Sequence, residues 1–488
     1  MSPHVILHDD ITGRKAPWGL RWRASVWFIT LGLLLGITTD LVVYSILIPV
    51  LPFHLEDLGY SGVSALVGYL LFAYSGGLSF STPPIAWVSE RYNSRKIPLM
   101  LGLIALAGSQ IMMMEAPAYW VMALARVLQG ISSSVVWTAG LALLCDTTPE
   151  KYVGQQLGLA MTGLSLGQLV GPPVGGALFN RFGFRGPCIF GVIMTMVDLL
   201  GRLLLVERKE AIKWGFDPAA VLEDHVDEER ASSDRISSTG PPMETLPAPP
   251  LGSVPRNIAL SPLAVVMKLA RSPRALTALT ATLLWGLVYS AQEPALPLHL
   301  QDVWGLQSAQ VGLVYVAAVV PALFSSPAAG WWADHKGTEW ITLFSLILAL
   351  PWWCLLIVEK QLALFVAAFA MENLFTAALV APLTTELASV ARDIPGVGYA
   401  HVYGAFNLAY GLGSTVYNHI QRGWMTLVLI SVGLLTGTIA LAFFYTGERP
   451  IFTRLLNKLA GEGTITLSEG LGNGHTVEEP VTEMESRA

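Results

Sequence analysis

Apolar residues in this chain gather into blocks of about 20, the length that carries a helix across the hydrocarbon core of a bilayer. Twelve blocks can be read, at approximately 24–52, 64–86, 97–115, 117–142, 154–180, 184–206, 276–299, 308–333, 340–358, 361–385, 397–420 and 423–446, here spans 1 to 12. Composition agrees. Of 488 residues, 53% are hydrophobic and 13% charged, where a soluble chain carries about 25% charged residues. The pattern predicts an all-α polytopic membrane protein of twelve transmembrane helices.

The first block lacks the short apolar core and small-residue cleavage site of a signal peptide. Cys145, Cys188 and Cys354 lie in or beside different spans and suggest neither a disulfide framework nor a metal site. No basic stripe points to nucleic acid. With twelve spans both termini share one side, and 23 of the 29 basic residues fall there, in the tails and the even-numbered loops. Arg181, Arg185, Lys360 and Arg422 fall opposite. That bias predicts cytoplasmic termini.

The chain divides into a tail (1–23), six spans (24–206), a central loop (207–275), six more spans (276–446) and a second tail (447–488). The central loop is charged, then rich in Ser and Pro, and is expected to be largely disordered. The tail after about Arg454 has the same expectation. The halves carry a repeat. PVLPFHLEDLG at 49–59 matches PALPLHLQDVWG at 294–305, at an offset of 245 residues. AWVSERYNSRK at 86–96 resembles GWWADHKGTEW at 330–340, at an offset of 244. Two matches at nearly one offset imply homologous six-helix halves with a site at the midplane between them.

Ionisable groups inside spans are costly and mark candidate sites. Asp40 lies near the middle of span 1, Arg126 in span 4 and Glu372 about 12 residues into span 10. Tyr44, one turn after Asp40, shares its face. Arg126 admits a plainer reading, a side chain snorkelling from the helix end. Glu372 is read equally as a coupling carboxylate or as a neutral glutamate bonded inside the bundle. Glu293, near the outer end of span 7, is a candidate or simply a solvated residue. Most Trp are expected as interfacial anchors or lipid-facing packing.

The motifs resemble the major facilitator superfamily across all twelve spans. The loop after span 8, with Gly330, Asp334 and Gly337, is similar to that family's G-x-x-x-D-(R/K)-x-G signature. The first-half copy is degraded: Ala86, Glu90 and Asn93-Ser94 stand at the signature positions, while Arg91, Arg95 and Lys96 remain. The resemblance implies a gating loop that stabilises one access state through charge contacts at helix ends. Arg126-Val-Leu-Gln129-Gly130 resembles the family's R-x-x-Q-G element of proton coupling. The span-5 string Gly163-x₃-Gly167-x₃-Gly171-Pro172-Pro173-Val174-Gly175-Gly176 is similar to the signature of drug–proton antiporters. Glycines at this spacing let another backbone approach closely, and the stripe is expected to act as the pivot between rocking halves.

Asp40, Tyr44, Pro49 and Pro52 in span 1, RVLQGISSS in span 4 and EPALP at 293–297 resemble the vesicular amine transporters and their fungal relatives. That likeness implies a substrate contact at Asp40 and a coupling role for Glu293. The network is thinned: Ser75 stands where those transporters carry a lysine, Ala377 and Asn407 where they carry aspartates.

The expectation is a proton-coupled efflux antiporter for a small hydrophobic or amphipathic compound such as a drug, toxin or secondary metabolite. It needs no cofactor beyond the proton gradient. Its partners are substrate, protons and the bilayer, and it is expected as a monomer. The plasma membrane is the expected location, with a vacuolar or vesicular membrane the alternative. A proton symporter or facilitator importing a nutrient is the rival, and the span-5 string argues against it. A polytopic enzyme is a third reading, but the nine His form no His/Asp pair of the kind it needs, and no Walker-type loop suggests ATP-driven pumping.

Overall fold

Buried in hydrocarbon, a backbone must satisfy its own polar groups, and an open chain does so as helix. The computed structural model describes residues 17–92, 94–222, 262–306, 308–417 and 423–458. Every predicted span is helical there. The first half runs Val26–Ser45, Val63–Tyr92, Lys96–Met114, Tyr119–Val135, Val153–Phe182 and Arg185–Leu204. The second runs Pro273–Trp304, Ser308–Lys336, Thr338–Leu355, Leu362–Ala378, Tyr399–Tyr417 and Trp424–Tyr445. Span 4 widens into a π-helical turn at Val136–Gly140 before resuming as Leu141–Thr147. Span 10 resumes as Val380–Asp393. Ser25 caps span 1 by accepting from the Phe28 amide at 3.2 Å, and Ser272 caps span 7 at the Ala275 amide.

Among the described residues, eight helices, those of spans 1, 3, 4, 6, 8, 9, 10 and 12, are long and apolar enough to cross a membrane. The other four, spans 2, 5, 7 and 11, have a physical reason to be less apolar. Spans 2 and 5 pack against spans 11 and 8 of the opposite half, and all four line the central cavity described below. The outward faces of the bundle carry Phe80, Leu101, Trp120, Leu200, Phe324 and Met425. Exposed apolar side chains of this kind are what a lipid-facing surface requires.

The central segment departs from expectation at both ends. Arg208–Lys213 and Pro262–Arg271 are helical. Ala211 and Phe216 bury against Leu20, Ala24 and Val206, and Val265 and Leu269 join the main core. Local amphipathic packing thus orders edges whose composition reads as linker. Residues 223–261 lie outside the described residues. Residues 451–458 are helical too, so the tail keeps structure slightly past Arg454, and 459–488 lie outside the described residues.

Candidate functional site

The halves enclose a cavity of about 1000 Å³ of open space. Spans 1, 2, 4 and 5 supply its first wall, spans 7 and 11 the other. Asp40 is the one ionisable Asp, Glu, Lys, Arg or His among its described lining residues. The repeat offset carries Asp40 onto Trp285, and both line this cavity, a carboxylate facing an indole across the two halves. Seven lining residues are aromatic. Trp285 packs on Tyr410 with ring centroids 4.9 Å apart, and Tyr44 on Tyr74 at 4.8 Å. Trp137 and Trp285 are therefore cavity residues, while Trp18, Trp27, Trp120 and Trp331 are exposed on the bundle surface.

Asp40 is 1% exposed. Its Oδ2 accepts from Ser133 Oγ at 2.7 Å and from Trp137 Nε1 at 3.0 Å. Ser133 sits on the last α-turn before the π-turn of span 4, and Trp137 in the π-turn itself. An inserted π-turn re-aims the side chains after it, and such turns concentrate at functional sites. Hydrogen bonds to a charged group contribute about 1.5–3 kcal/mol each, which offsets part of the cost of burying a carboxylate.

Arg126 is fully buried, so it does not snorkel. Its Nη1 donates to Gln129 Oε1 at 3.2 Å, and Nε and Nη2 have no partner. The Tyr44 and Tyr74 phenols and the Cys188 thiol are its polar neighbours. Arg126 and Gln129 lie behind the cavity wall rather than in it. Glu372 is also buried behind a wall; it accepts from Asn373 Nδ2 at 2.8 Å and Thr376 Oγ1 at 3.2 Å. Asn407 lines the cavity and donates across the seam to Thr82 Oγ1 at 3.1 Å, which in turn bonds Ser134. Glu293 lies on the span-7 helix, and its side chain lies outside the described residues.

One buried pair escaped the sequence reading. Asp198 and Arg202 of span 6 are 1% and 2% exposed and form an i,i+4 ion pair at 3.3 Å. Arg202 Nη1, Nη2 and Asp198 Oδ2 have no further partner. The pair fills the notch left by Gly36, where a Cβ would lie 3.2 Å from Asp198 Oδ2. Gly36 is one helical turn from Asp40 on the same face. A D-x₃-R spacing in an apolar block was the available signal.

The glycine stripe is placed differently from its expected role. Gly163, Gly167, Gly171 and Gly175 pack against Leu34, Leu41, Ser45 and Ile46 of span 1, inside the first half. A Cβ on Gly163 would sit 2.6 Å from the Leu34 carbonyl. Pro172 lies inside the same helix, which runs unbroken from Val153 to Phe182. Gly176 has open space around its Cβ position. The stripe therefore clamps spans 1 and 5 together rather than forming the seam between halves. Span 5 meets the second half elsewhere, at Gly154 and Gly158 against Ser326, Pro327 and Gly330 of span 8.

The motif loops link the two halves. Asp334 accepts from the Gly154 and Gln155 amides at 2.7 and 2.6 Å, capping the start of span 5. Glu90 accepts from the Ala400 amide at 2.8 Å, capping the start of span 11. The repeat relates the two clasps, since the offset carries Glu90 onto Asp334. Each sets a carboxylate on the positive end of a helix in the opposite half. Glu90 is further held by Arg95 at 2.9 Å, and Arg95 by Asp146 at 3.0 Å and Ser89 at 2.8 Å. Burial works against the Arg95 charge, but Asp146 and Glu90 outweigh it and hold its pKa above the usual arginine value. Arg91 is exposed and lies over the Trp87 ring, outside the clasp. Gly337 has φ of +88°, which explains a glycine between spans 8 and 9.

The sequence model of the Major Facilitator Superfamily matches residues 33–307 and 278–471. A protein called MFS-type transporter ppzB, from Metarhizium rileyi, is 27% identical over 82% of this chain and 88% of its own length. The human synaptic vesicular amine transporter is 23% identical over 75% of this chain and 64% of its own length. The human organic anion transporter MFSD10 superposes with a TM-score of 0.63 over 88% of this chain and 100% of that one, at 18% identity, a likeness of fold.

Proposed function

The chain belongs to the Major Facilitator Superfamily, and from that premise we propose that it is a proton-coupled antiporter exporting a small amphipathic compound by alternating access. The observation that carries this reading is Asp40: a buried carboxylate in the wall of a cavity between two halves, at the point where a substrate would sit. A substrate and a proton would compete for the one charge, so that release of either favours the other. Seven aromatic rings around a single carboxylate favour compounds with an apolar body and one positive charge. The relatives named for amine transport support the same class.

The clasps at Glu90 and Asp334 hold the cavity shut on the side of the chain ends. By the excess of basic residues, that side is cytoplasmic. The structure would thus be the outward-facing member of the cycle. In this reading the protein works as a monomer, without cofactor and without catalysis, in the plasma membrane, with vacuolar and vesicular membranes as the other settings. The span-5 glycine string favours export, with drugs, toxins and secondary metabolites as the compounds.

Purified protein in proteoliposomes tests the reading. An imposed proton gradient should drive accumulation of a lipophilic monocation such as benzyltrimethylammonium or a larger aromatic amine. Asp40→Asn should abolish that gradient-driven flux. Equal wild-type transport without a gradient would leave a facilitator, and loss of the antiporter.

A further inference from the structure

A second pocket of about 490 Å³ adjoins the central cavity. The two share Leu164, Gln168, Trp285 and Tyr289, so they lie side by side along spans 5 and 7. Their chemistry differs. The central cavity has Asp40 and aromatic walls. The side pocket reaches between spans 5, 8 and 10, and has no ionisable Asp, Glu, Lys, Arg or His among its described lining residues. Its polar groups are neutral and small: Ser165, Ser326, Asn373 and Thr376 stand among Val, Ala and Met.

These groups have a defined orientation. Asn373 Nδ2 is engaged by Glu372 at 2.8 Å and by the Phe369 carbonyl at 3.0 Å, and Thr376 donates to Glu372 at 3.2 Å. With those donors committed, Asn373 and Thr376 retain oxygen lone pairs as their remaining capacity. Glu372, buried behind the pair, is thereby a positioning residue. Ser326 Oγ is buried and has no partner, an unmet group in the pocket wall. An unpaired buried polar atom is costly, and a ligand or water that pairs with it recovers that cost. Ala377, beside Thr376, leaves the space open.

We infer that the side pocket is a substrate subsite for an uncharged arm bearing a hydrogen-bond donor, such as a hydroxyl or amide N–H. The transported compound is then bipartite: a single cationic, aromatic head at Asp40, and a neutral polar arm between spans 5, 8 and 10. The inference rests on the Asp40 reading above and adds the second half of the ligand. It excludes dications, whose second charge would meet no counter-charge in the pocket.

Three probes separate the two claims: benzyltrimethylammonium, and two versions extended at the para position, one ending in a hydroxymethylphenyl group and one in the matched methylphenyl group. Binding is measured on the purified full chain, wild type and Asp40→Asn, by displacement of a radiolabelled lipophilic amine. The hydroxymethyl compound should bind about fivefold tighter than its methyl match, the worth of a net hydrogen bond. Asn373→Leu and Ser326→Ala should erase that ratio while leaving benzyltrimethylammonium affinity unchanged, which also reports that the variants fold. Glu372→Gln should lower the ratio through Asn373. If all three probes bind through Asp40 but the two arms bind alike in every variant, the subsite is overturned and the central site stands. If no probe depends on Asp40, both fall.

Discussion

Asp40 and the Asp198–Arg202 pair illustrate two fates of charge inside a bundle. Asp40 fronts a cavity and is met by two neutral donors from span 4. Asp198 and Arg202 pair with each other beside a glycine notch, through one contact of 3.3 Å. A buried ion pair is weak evidence for stability, but removing one partner strands the other. Arg202→Met should therefore destabilise the protein by about 3–5 kcal/mol. The double variant Asp198→Leu with Arg202→Met should regain most of that loss. Thermal unfolding in detergent, followed by tryptophan fluorescence, checks both; a double variant as unstable as the single would assign the loss to packing at Gly36. Asp40 was legible in the sequence because a lone carboxylate in an apolar block has few explanations. Its donors were not. Trp137 donates from the π-turn of span 4, and hydrophobic periodicity does not register one inserted residue in a long apolar run; nor does it say that Ser133 faces span 1.

The span-5 glycines were equally visible, yet their partner was not. Small residues at four-residue spacing announce a close helix contact, but say nothing about which helix. The contact is with span 1, where Gly167 faces Leu41 and the Thr38 carbonyl. Spacing therefore gave the clamp and misplaced the pivot. Gly167→Val should prevent spans 1 and 5 from closing, since its Cβ would overlap Leu41 Cβ, which the span-1 backbone fixes, and crowd the Thr38 carbonyl, and folded protein should be lost. Gly176→Ala should be tolerated, with a gain of about 0.5–1 kcal/mol from the lower entropy of the unfolded chain. Fluorescence-detected size exclusion of the two variants separates them: a monodisperse Gly167→Val, or an aggregated Gly176→Ala, would contradict this placement. The structured edges of the central segment were hidden for a related reason. Phe216 and Val265 lie in short apolar runs beside a long polar stretch, and some of the residues they pack with, such as Leu20 and Ala24 for Phe216, lie far off in sequence.

Between the two halves the repeat was the most informative feature, because it turned a degraded motif into a meaningful one. Glu90 departs from the signature by one methylene and still caps a helix of the opposite half, as Asp334 does. What sequence could not supply was the state: which end of the cavity these clasps close depends on how the halves are tilted. A carboxylate on a helix N-terminus contributes about 0.3–1 kcal/mol at exposed sites and up to ~2 when partly buried. Taking about 1 kcal/mol for each clasp, Glu90→Gln with Asp334→Asn should shift the balance between closed and open ends by about 2 kcal/mol, roughly thirtyfold. Neutral amides still accept from the backbone, so the loss is electrostatic and the fold is retained. Spin labels at Lys151 and Lys336, both on the side of the chain ends, report the change as a longer distance population by double electron–electron resonance. Each single variant should move the population by less than the double, because both clasps hold the same closure. A double variant that keeps the wild-type distances would place the closing energy in the packed contacts of spans 2, 5, 8 and 11 instead, and would reduce the clasps to markers of a closure they do not hold.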